Sequence, residues 1–400
     1  MENDTQLPPG EYLLHALRLI QERSLKRTTI DWTATSAEYT KRAERLTTIT
    51  EAQAHIRELL KALGDNHSFL LTSEEARRTT SPHSAGWRLH WQEPIVIDVL
   101  PHSPASEHGV KAGDRIIETN GHTITEQNWK QHFRSALAAK TPIKLQKHDG
   151  TIVALFLREG FTQTNPLPTA RLTARGFGRL DLPGHMGDGT LPNNDDYGEL
   201  LRTAFEELET RGAAAWIIDL RRCDGGNMWP MLAGLTPLLD QGTYGSFIDP
   251  VNNTWWEWRF NGKELFSTRR DDRNEHSTMH EIPEWKPLQN TDAPVVVLTS
   301  RVTSSSGEAV TISFRGRTNT RLIGETTGGL TSANNLHTLS DGACLLLAEA
   351  YEADRLDRIY EAGIEPDDEI SVNWHLISQD SDPVILAAEE WLNTQIKVKS

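Results

Sequence analysis

The sequence predicts an α/β protein in three parts: a helical region over residues 1–78, a unit of short strands and tight turns over 79–160, and a larger α/β domain over 161–400. Three observations carry this. Ala52, Ile56, Leu59, Leu60 and Leu63 form one apolar stripe at helical spacing in the first segment. Pro101, Asn120-Gly121 and Asp149-Gly150 punctuate the second. In the third, near-continuous apolar runs at 213–220 and 294–298 alternate with helical patterns, as strands covered on both faces do.

Taken in order, the helical region has its clearest signals near residue 50. Thr50-Glu51-Ala52-Gln53 has capping-box form, and Gly64 stands where a helix ends on a left-handed residue. The chain leaves through Asp65-Asn66-His67-Ser68-Phe69. In the second segment 95–100 reads as a buried strand, followed by a short helical stretch to Gly109, a polar helix around 125–138, and strands near 142–147 and 151–157. Residues 161–170, with two prolines among Thr and Asn, read as a linker. Beyond it come a strand-like 171–182, a helix near 195–211 presenting Leu200, Leu201, Ala204 and Leu208, the two buried strands, a helix from about 306 to 315 closed by Gly316, and a last strong strand at 343–350. Residues 251–285, rich in Trp and charge, fit none of these elements; an insertion or a lid is left open.

Four hundred residues allow each part a core without disulfide or metal staples. Lys plus Arg number 41 against 56 Asp plus Glu, a net charge of −15. That balance opposes nucleic acid and anionic membranes as partners and mildly favours basic or neutral substrates. Cys223 and Cys344 are not in CxxC spacing and fit a reducing compartment. The N-terminus is acidic, then amphipathic, and no stretch approaches the roughly 18 apolar residues of a membrane span. The expected location is therefore cytoplasmic, or secreted if a leader has been removed. Oligomeric state is not encoded in any pattern found.

Two junctions can carry chemistry. Ser304-Ser305-Ser306-Gly307-Glu308 lies between a buried strand and a helix. Ser305-x-x-Glu308 is itself a capping box, so a purely structural role is one reading. The same geometry exposes a hydroxyl at a helix N-terminus, whose free N–H groups suit an oxyanion. Asp219-Leu220-Arg221-Arg222-Cys223-Asp224-Gly225-Gly226 ends the other strand in paired glycines. It is either a plain turn or a place where backbone donors approach a ligand closely. A nucleophilic serine needs a base, and His67, on a short loop beside Asp65 and Ser68, is one of 15 histidines. His276-x-x-x-His280-Glu281 has one-turn metal spacing but lacks a third ligand, and Cys223 lacks a helix N-terminus of its own, so neither is taken as the reactive group.

Jointly, five motifs between about 170 and 370 resemble the carboxyl-terminal processing and tricorn-type serine peptidases. They are the DLR…GG strand at Asp219–Gly226, the serine junction ending in Glu308, Gly324-Glu325-Thr326-Thr327-Gly328-Gly329, Leu339-Ser340-Asp341-Gly342, and Gly363-Ile364-Glu365-Pro366-Asp367, in family order. The resemblance implies a crotonase/ClpP-like catalytic domain. Processing-type members use a lysine base at a position that falls here on Leu330, which cannot accept a proton. The tricorn-like branch draws a histidine from a segment matched by Leu63-Gly64-Asp65-Asn66-His67-Ser68, and Ile30-Asp31-Trp32 extends the likeness. By resemblance His67 is the base, with Ser68 and Glu361 as its partners. Residues 85–160 resemble a PDZ domain through Ser103-Pro104-Ala105, Gly109 to Ile117 and Asn120-Gly121, with the peptide-binding loop at Gly86, Trp87, Arg88 and Leu89.

The resemblance thus implies a serine endopeptidase acting on polypeptides, with no cofactor and no metal. Ser305 attacks, His67 takes its proton, and Gly225 or Gly226 with Ser306 forms the oxyanion hole. The activity is expected to fall below pH 6–7, where an ordinary imidazole protonates. A rival reading is a peptide- or ligand-binding protein without catalysis, since retinoid-binding relatives share these modules; another is a serine esterase or amidase.

Overall fold

A computed structural model describes residues 6–75, 86–90, 92–129, 132, 141–155, 166–191, 195–377 and 379–399. The first segment forms helices α1 (Pro9–Arg23), α2 (Trp32–Ala43) and α3 (Ile49–Leu63). The capping box of α3 lies two residues earlier than the sequence predicts: Thr48 caps, and Glu51 reaches back to its N–H. Gly64 ends α3 in the left-handed region at φ 69°. The segment is not helical throughout. Phe69–Leu71 is strand β1, antiparallel to β18 (Cys344–Asp354) with Phe69 opposite Leu346. The physical reason lies 280 residues away: an edge of β18 offers unpaired backbone groups, and its Ala348 N–H donates to the Ser68 hydroxyl at 2.9 Å. Tyr12, Leu13, Ile20, Ile56 and Leu60 then pack with Leu339, Leu345 and Leu347 in one core.

The second segment holds β2 (Trp87–Leu89), β3 (Val96–Val99), the single helical turn α4 (Pro104–Glu107), β4 (Arg115–Thr119), β5 (His122–Thr123), β6 (Ile143–Gln146) and β7 (Ile152–Leu155). β2 pairs with β3, and the others form a sheet in the order β5-β4-β6-β7. Trp87, Val96, Val110, Ile116, Leu145 and Leu155 belong to a core built within this segment alone. The polar helix expected at 125–138 falls mostly outside the described residues.

The third segment is a mixed α/β layer structure. One sheet runs β20-β16-β15-β10-β9-β8, from β20 (Asp368–Glu369), β16 (Thr320–Gly324), β15 (Val295–Thr299), β10 (Trp216–Asp219), β9 (Gly178–Asp181) and β8 (Thr169–Leu172). It is parallel except for β8–β9. The two apolar runs pair directly, Ile217 opposite Val296. Helices α5 (Tyr197–Thr210), α6 (Met228–Leu239) and α7 (Ser306–Phe314) cover one face, and α8 (Pro383–Lys399) the other. The second sheet runs β1-β18-β11-β12-β13-β14, with β17 (Ser332–Thr338) and β19 (Ile359–Tyr360) also on β18. The Trp-rich stretch is neither lid nor loop. With β11 (Gly242–Asp249), its strands β12 (Thr254–Phe260), β13 (Glu264–Arg269) and β14 (His276–Glu281) extend this sheet. α7 lies between the two sheets and every residue of it is buried, its Thr311 and Ser313 hydroxyls donating to the carbonyls of Gly307 at 2.8 Å and Ala309 at 2.9 Å. Among the described residues no helix is long and apolar enough to cross a membrane.

Candidate active site

Strands β10 and β15 end side by side, and the turns that follow them are stitched together. Thr303 Oγ1 donates to the Leu220 carbonyl at 2.9 Å, Ser300 Oγ to that of Arg221 at 2.7 Å, and Ser304 N–H to that of Cys223 at 3.1 Å. Beneath them is a buried ion cluster. Asp219 accepts from Arg221 Nη2 at 2.7 Å and Arg179 Nη2 at 2.9 Å, and Arg221 Nη1 reaches Asp382 at 2.7 Å. Burial pushes the Asp219 carboxyl up, but the charges of Arg221 and Arg179 outweigh it and hold it below the usual carboxylate range. The Asp and Arg of the DLR motif thus anchor the glycine turn rather than face a substrate.

Ser305 sits at the N-cap of α7 with φ 52° and ψ −120°, a strained conformation for a residue with a Cβ. Its side chain makes no capping hydrogen bond; the Glu308 N–H is taken by the Ser305 carbonyl at 2.7 Å. Only the return half of the capping box is made, Ser305 N–H to Glu308 Oε2 at 3.0 Å. The hydroxyl is left to a cavity of about 940 Å³ that Ser305, Ser306, Gly226 and Ser332 all line. Glu308 also accepts from Thr327 Oγ1 at 2.5 Å, Gly329 N at 2.8 Å and Leu330 N at 2.7 Å. Burial pushes its carboxyl up to about 7 although four donors point at it. Glu308 therefore clamps the serine turn to the 327–330 segment, and Leu330 meets it through its backbone.

Gly225 and Gly226 take φ 115° and 119°. A Cβ on Gly225 would lie 3.0 Å from Ser305 Cβ, and one on Gly226 would lie 2.0 Å from the His185 carbonyl oxygen. Only glycine permits this approach. Ser306 Oγ donates to the Gly226 carbonyl at 2.5 Å, locking the two turns. The N–H groups of Gly226 and Ser306 donate to no backbone carbonyl among the described residues.

His67 is 7% exposed, on the loop between α3 and β1. Asn66 precedes it at φ 58°, and Asp65 Oδ1 accepts the His67 N–H at 2.9 Å, fixing the turn. Its Nδ1 is 2.8 Å from Ser332 Oγ, and Asn334 Nδ2 donates to its carbonyl at 2.9 Å. Burial pulls the imidazole down to about 4, against a weaker upward pull from Asp65. The ring is thus neutral well below pH 6, which displaces the pH limb expected from the sequence. Ser332, whose hydroxyl meets the His67 ring, lines the same cavity as Ser305.

Two expected partners of His67 are elsewhere. Ser68 Oγ donates to Asp65 Oδ2 at 2.7 Å and accepts from Ala348 N, so it anchors β1 to β18. Glu361 is drawn to the surface, 66% exposed and 3.9 Å from Lys26 Nζ. The hydroxyl that meets the His67 ring is that of Ser332, for which no sequence motif gave a signal. The expected loop at Trp87, Arg88 and Leu89 is strand β2; Trp87 enters the core, and the buried Arg88 guanidinium bonds Asp224 in the glycine turn. Gly86 precedes it at φ 72° and its carbonyl accepts from Leu100 N–H at 2.8 Å. His276 and His280 lie on β14, where residues four apart stand about 13 Å apart rather than one helical turn, and they pair with Glu264 and Asp196. Burial pushes the Cys223 thiol up to about 12, far from a reactive thiolate.

With this geometry in place, the comparisons with known proteins become specific. Residues 185–370 match Peptidase family S41, a segment that holds the glycine turn, Ser305 and Ser332. The nisin-resistance protein of Lactococcus lactis subsp. lactis is 30% identical over 219 residues, 54% of this chain and 60% of that one. The carboxy-terminal processing protease CtpA of Bacillus subtilis is 22% identical over 325 residues, 78% of this chain and 62% of that one. The chain spans about three fifths of the length of these two relatives. Among solved structures, the photosystem II D1 C-terminal processing protease superposes with a TM-score of 0.62 at 18% identity, covering 91% and 93% of the two chains. A lipoprotein from Streptococcus agalactiae gives 0.58 at 18%, covering 98% of each. The likeness to carboxyl-terminal processing peptidases read from the sequence is shown by these matches, and the mixed α/β fold is that of S41 protease structures.

Proposed function

We propose that this chain is a serine peptidase that hydrolyses polypeptides, with Ser305 as nucleophile and His67 as general base. The observation that carries this reading is the free Ser305 hydroxyl at a strained helix start, on a cavity whose wall holds a neutral imidazole through Ser332. With Nδ1–H donating to Ser332 Oγ, the lone pair on Nε2 is the one available to a proton. Nε2 takes the Ser305 proton as Oγ bonds to the scissile carbonyl carbon. The N–H groups of Ser306 and Gly226, or Gly225, receive the oxyanion. The imidazolium then protonates the leaving amine, and a water that His67 deprotonates hydrolyses the ester.

In the same reading residues 161–400 are a crotonase/ClpP-like domain and 79–160 an inserted PDZ domain that docks extended polypeptide. The closed core of the latter and its strand β2 beside the glycine turn support that division. Incubation with a fluorophosphonate probe, with intact mass and peptide mapping, is the test. Stoichiometric labelling at Ser305, and a loss on the order of 10³-fold or more in peptide hydrolysis for Ser305→Ala, are expected. Equal hydrolysis by Ser305→Ala removes the reading; labelling with ester turnover but no peptide turnover turns it into an esterase.

A further inference from the structure

Glu352 lies on β18, opposite Phe247 of β11 and Tyr360 of β19. It is 3% exposed, yet it lines the same cavity as Ser305. Its Oε2 is fully buried and has no hydrogen-bond partner among the described residues. A buried acceptor left this way is destabilising by about 1–3 kcal/mol, and more if charged. Burial, and then the like charge of Glu308, push its carboxyl well above the usual range. The mechanism above gives Glu352 no task.

The surroundings say what would satisfy it. Trp229 and Trp256 wall the cavity, and aromatic faces attract cations. Of the other carboxylates on the lining, Asp249 already holds Arg27 at 2.7 Å and Glu349 holds His337 at 2.7 Å. Glu22 stands at the lining against a single basic side chain there, Arg23. An apolar substrate side chain would leave the Glu352 oxygen orphaned, and an acidic one would meet two carboxyls. A cation lets the Glu352 carboxyl release its proton to solvent and supplies both the hydrogen bond and the counter-charge that the buried carboxylate then needs.

We propose that Glu352 determines specificity at this site, its carboxylate receiving the ammonium or guanidinium of a Lys or Arg side chain of the substrate polypeptide. This rests on the serine-peptidase reading of the cavity. Paired peptides that differ only by Lys or norleucine at each position around the cut test it. The wild-type chain is expected to prefer Lys at one position by roughly 10- to 100-fold in kcat/KM, the range for a hydrogen bond to a charged group. In Glu352→Gln that ratio collapses to within about 3-fold, and Glu352→Asp retains part of it. Because the ratio is taken within one preparation, a poorly folded variant does not imitate the result. A wild-type ratio near one, or a ratio that Glu352→Gln preserves, overturns the proposal while Ser305 labelling leaves the peptidase reading standing. If neither peptide is cut, the same Lys/norleucine ratio is read as relative Kd on Ser305→Ala with and without Glu352→Gln; equal binding overturns it there too.

Discussion

The two segments that precede residues 161–400 join that domain in opposite ways. The N-terminal region shares a core with it: Leu13, Ile20 and Ile56 pack on Leu345 and Leu347, β1 completes the sheet, and Asp341 accepts from Tyr12 Oη at 3.0 Å and Gln53 Nε2 at 2.8 Å. The middle unit closes its core within itself and meets the rest through ion pairs and ring contacts, His148 with His375 at 4.3 Å and His90 with Trp374 at 6.3 Å. Arg88 bonds Asp224, Arg222 reaches Asp98 at 2.9 Å, and Glu93 lies 3.4 Å from Arg301. Apolar fusion makes a segment inseparable from the site, whereas ion pairs at a margin let a unit move as a body. The candidate base comes from the fused segment and the candidate docking unit is the separable one.

The sharpest way to break this contrast is to hollow each core. Ile56→Ala, at a site with no exposure, is expected to remove about 2–5 kcal/mol and to lower Ser305 labelling together with global stability. Ile116→Ala in the middle unit is expected to loosen only that unit, so that hydrogen exchange rises over β2–β7 while Ser305 labelling persists. Equal effects of the two on labelling would show that the middle unit is fused as well.

Acid offers a second probe. The His67 imidazole has its folded pKa pulled from 6.5 down to about 4, so the unfolded chain binds its proton at a higher pH than the folded one. The contribution to stability is therefore complete above about 6.5 and is lost as pH falls towards 4, roughly 3 kcal/mol in all. Denaturant midpoints between pH 7 and 4 check this, and His67→Gln should flatten the curve over that window. For the same reason kcat/KM is expected to hold level down to about pH 5 and to drop near 4. A limb at 6–7 would mean that another group is the base.

The smallest effect belongs to the margin. Arg88→Ala frees Asp224, which is already 49% exposed, so a loss of about tenfold or less in kcat/KM with little change in stability is expected. A loss as large as that of Ser305→Ala would place the middle unit inside the catalytic machinery.

What the sequence made legible follows from how local its physics was. The runs 213–220 and 294–298 could be read because burial on both faces leaves no polar alternation, and they pair as β10 and β15. The glycine and serine turns could be read because a strand end followed by a helix start is a local pattern. Ser332 could not, since its role depends on a residue 265 positions away. The 251–285 stretch was opaque because its strands bury charge: Glu257 is held by Arg270 at 2.8 Å and Arg273 at 2.6 Å, a network that periodicity does not report. Ser68 was expected beside the His67 ring, but its hydroxyl bonds Asp65 and the Ala348 N–H of β18, a strand 280 residues away that no local pattern reports.

The pairing of Phe69 with Leu346 has a consequence for biosynthesis. The imidazole at 67 leaves the ribosome early, whereas the hydroxyl that steadies it and the strand that seats its loop emerge only with residues 332–354. Under the proposed mechanism, a nascent chain that already carries Ser305 still lacks the hydroxyl and the strand that seat its base.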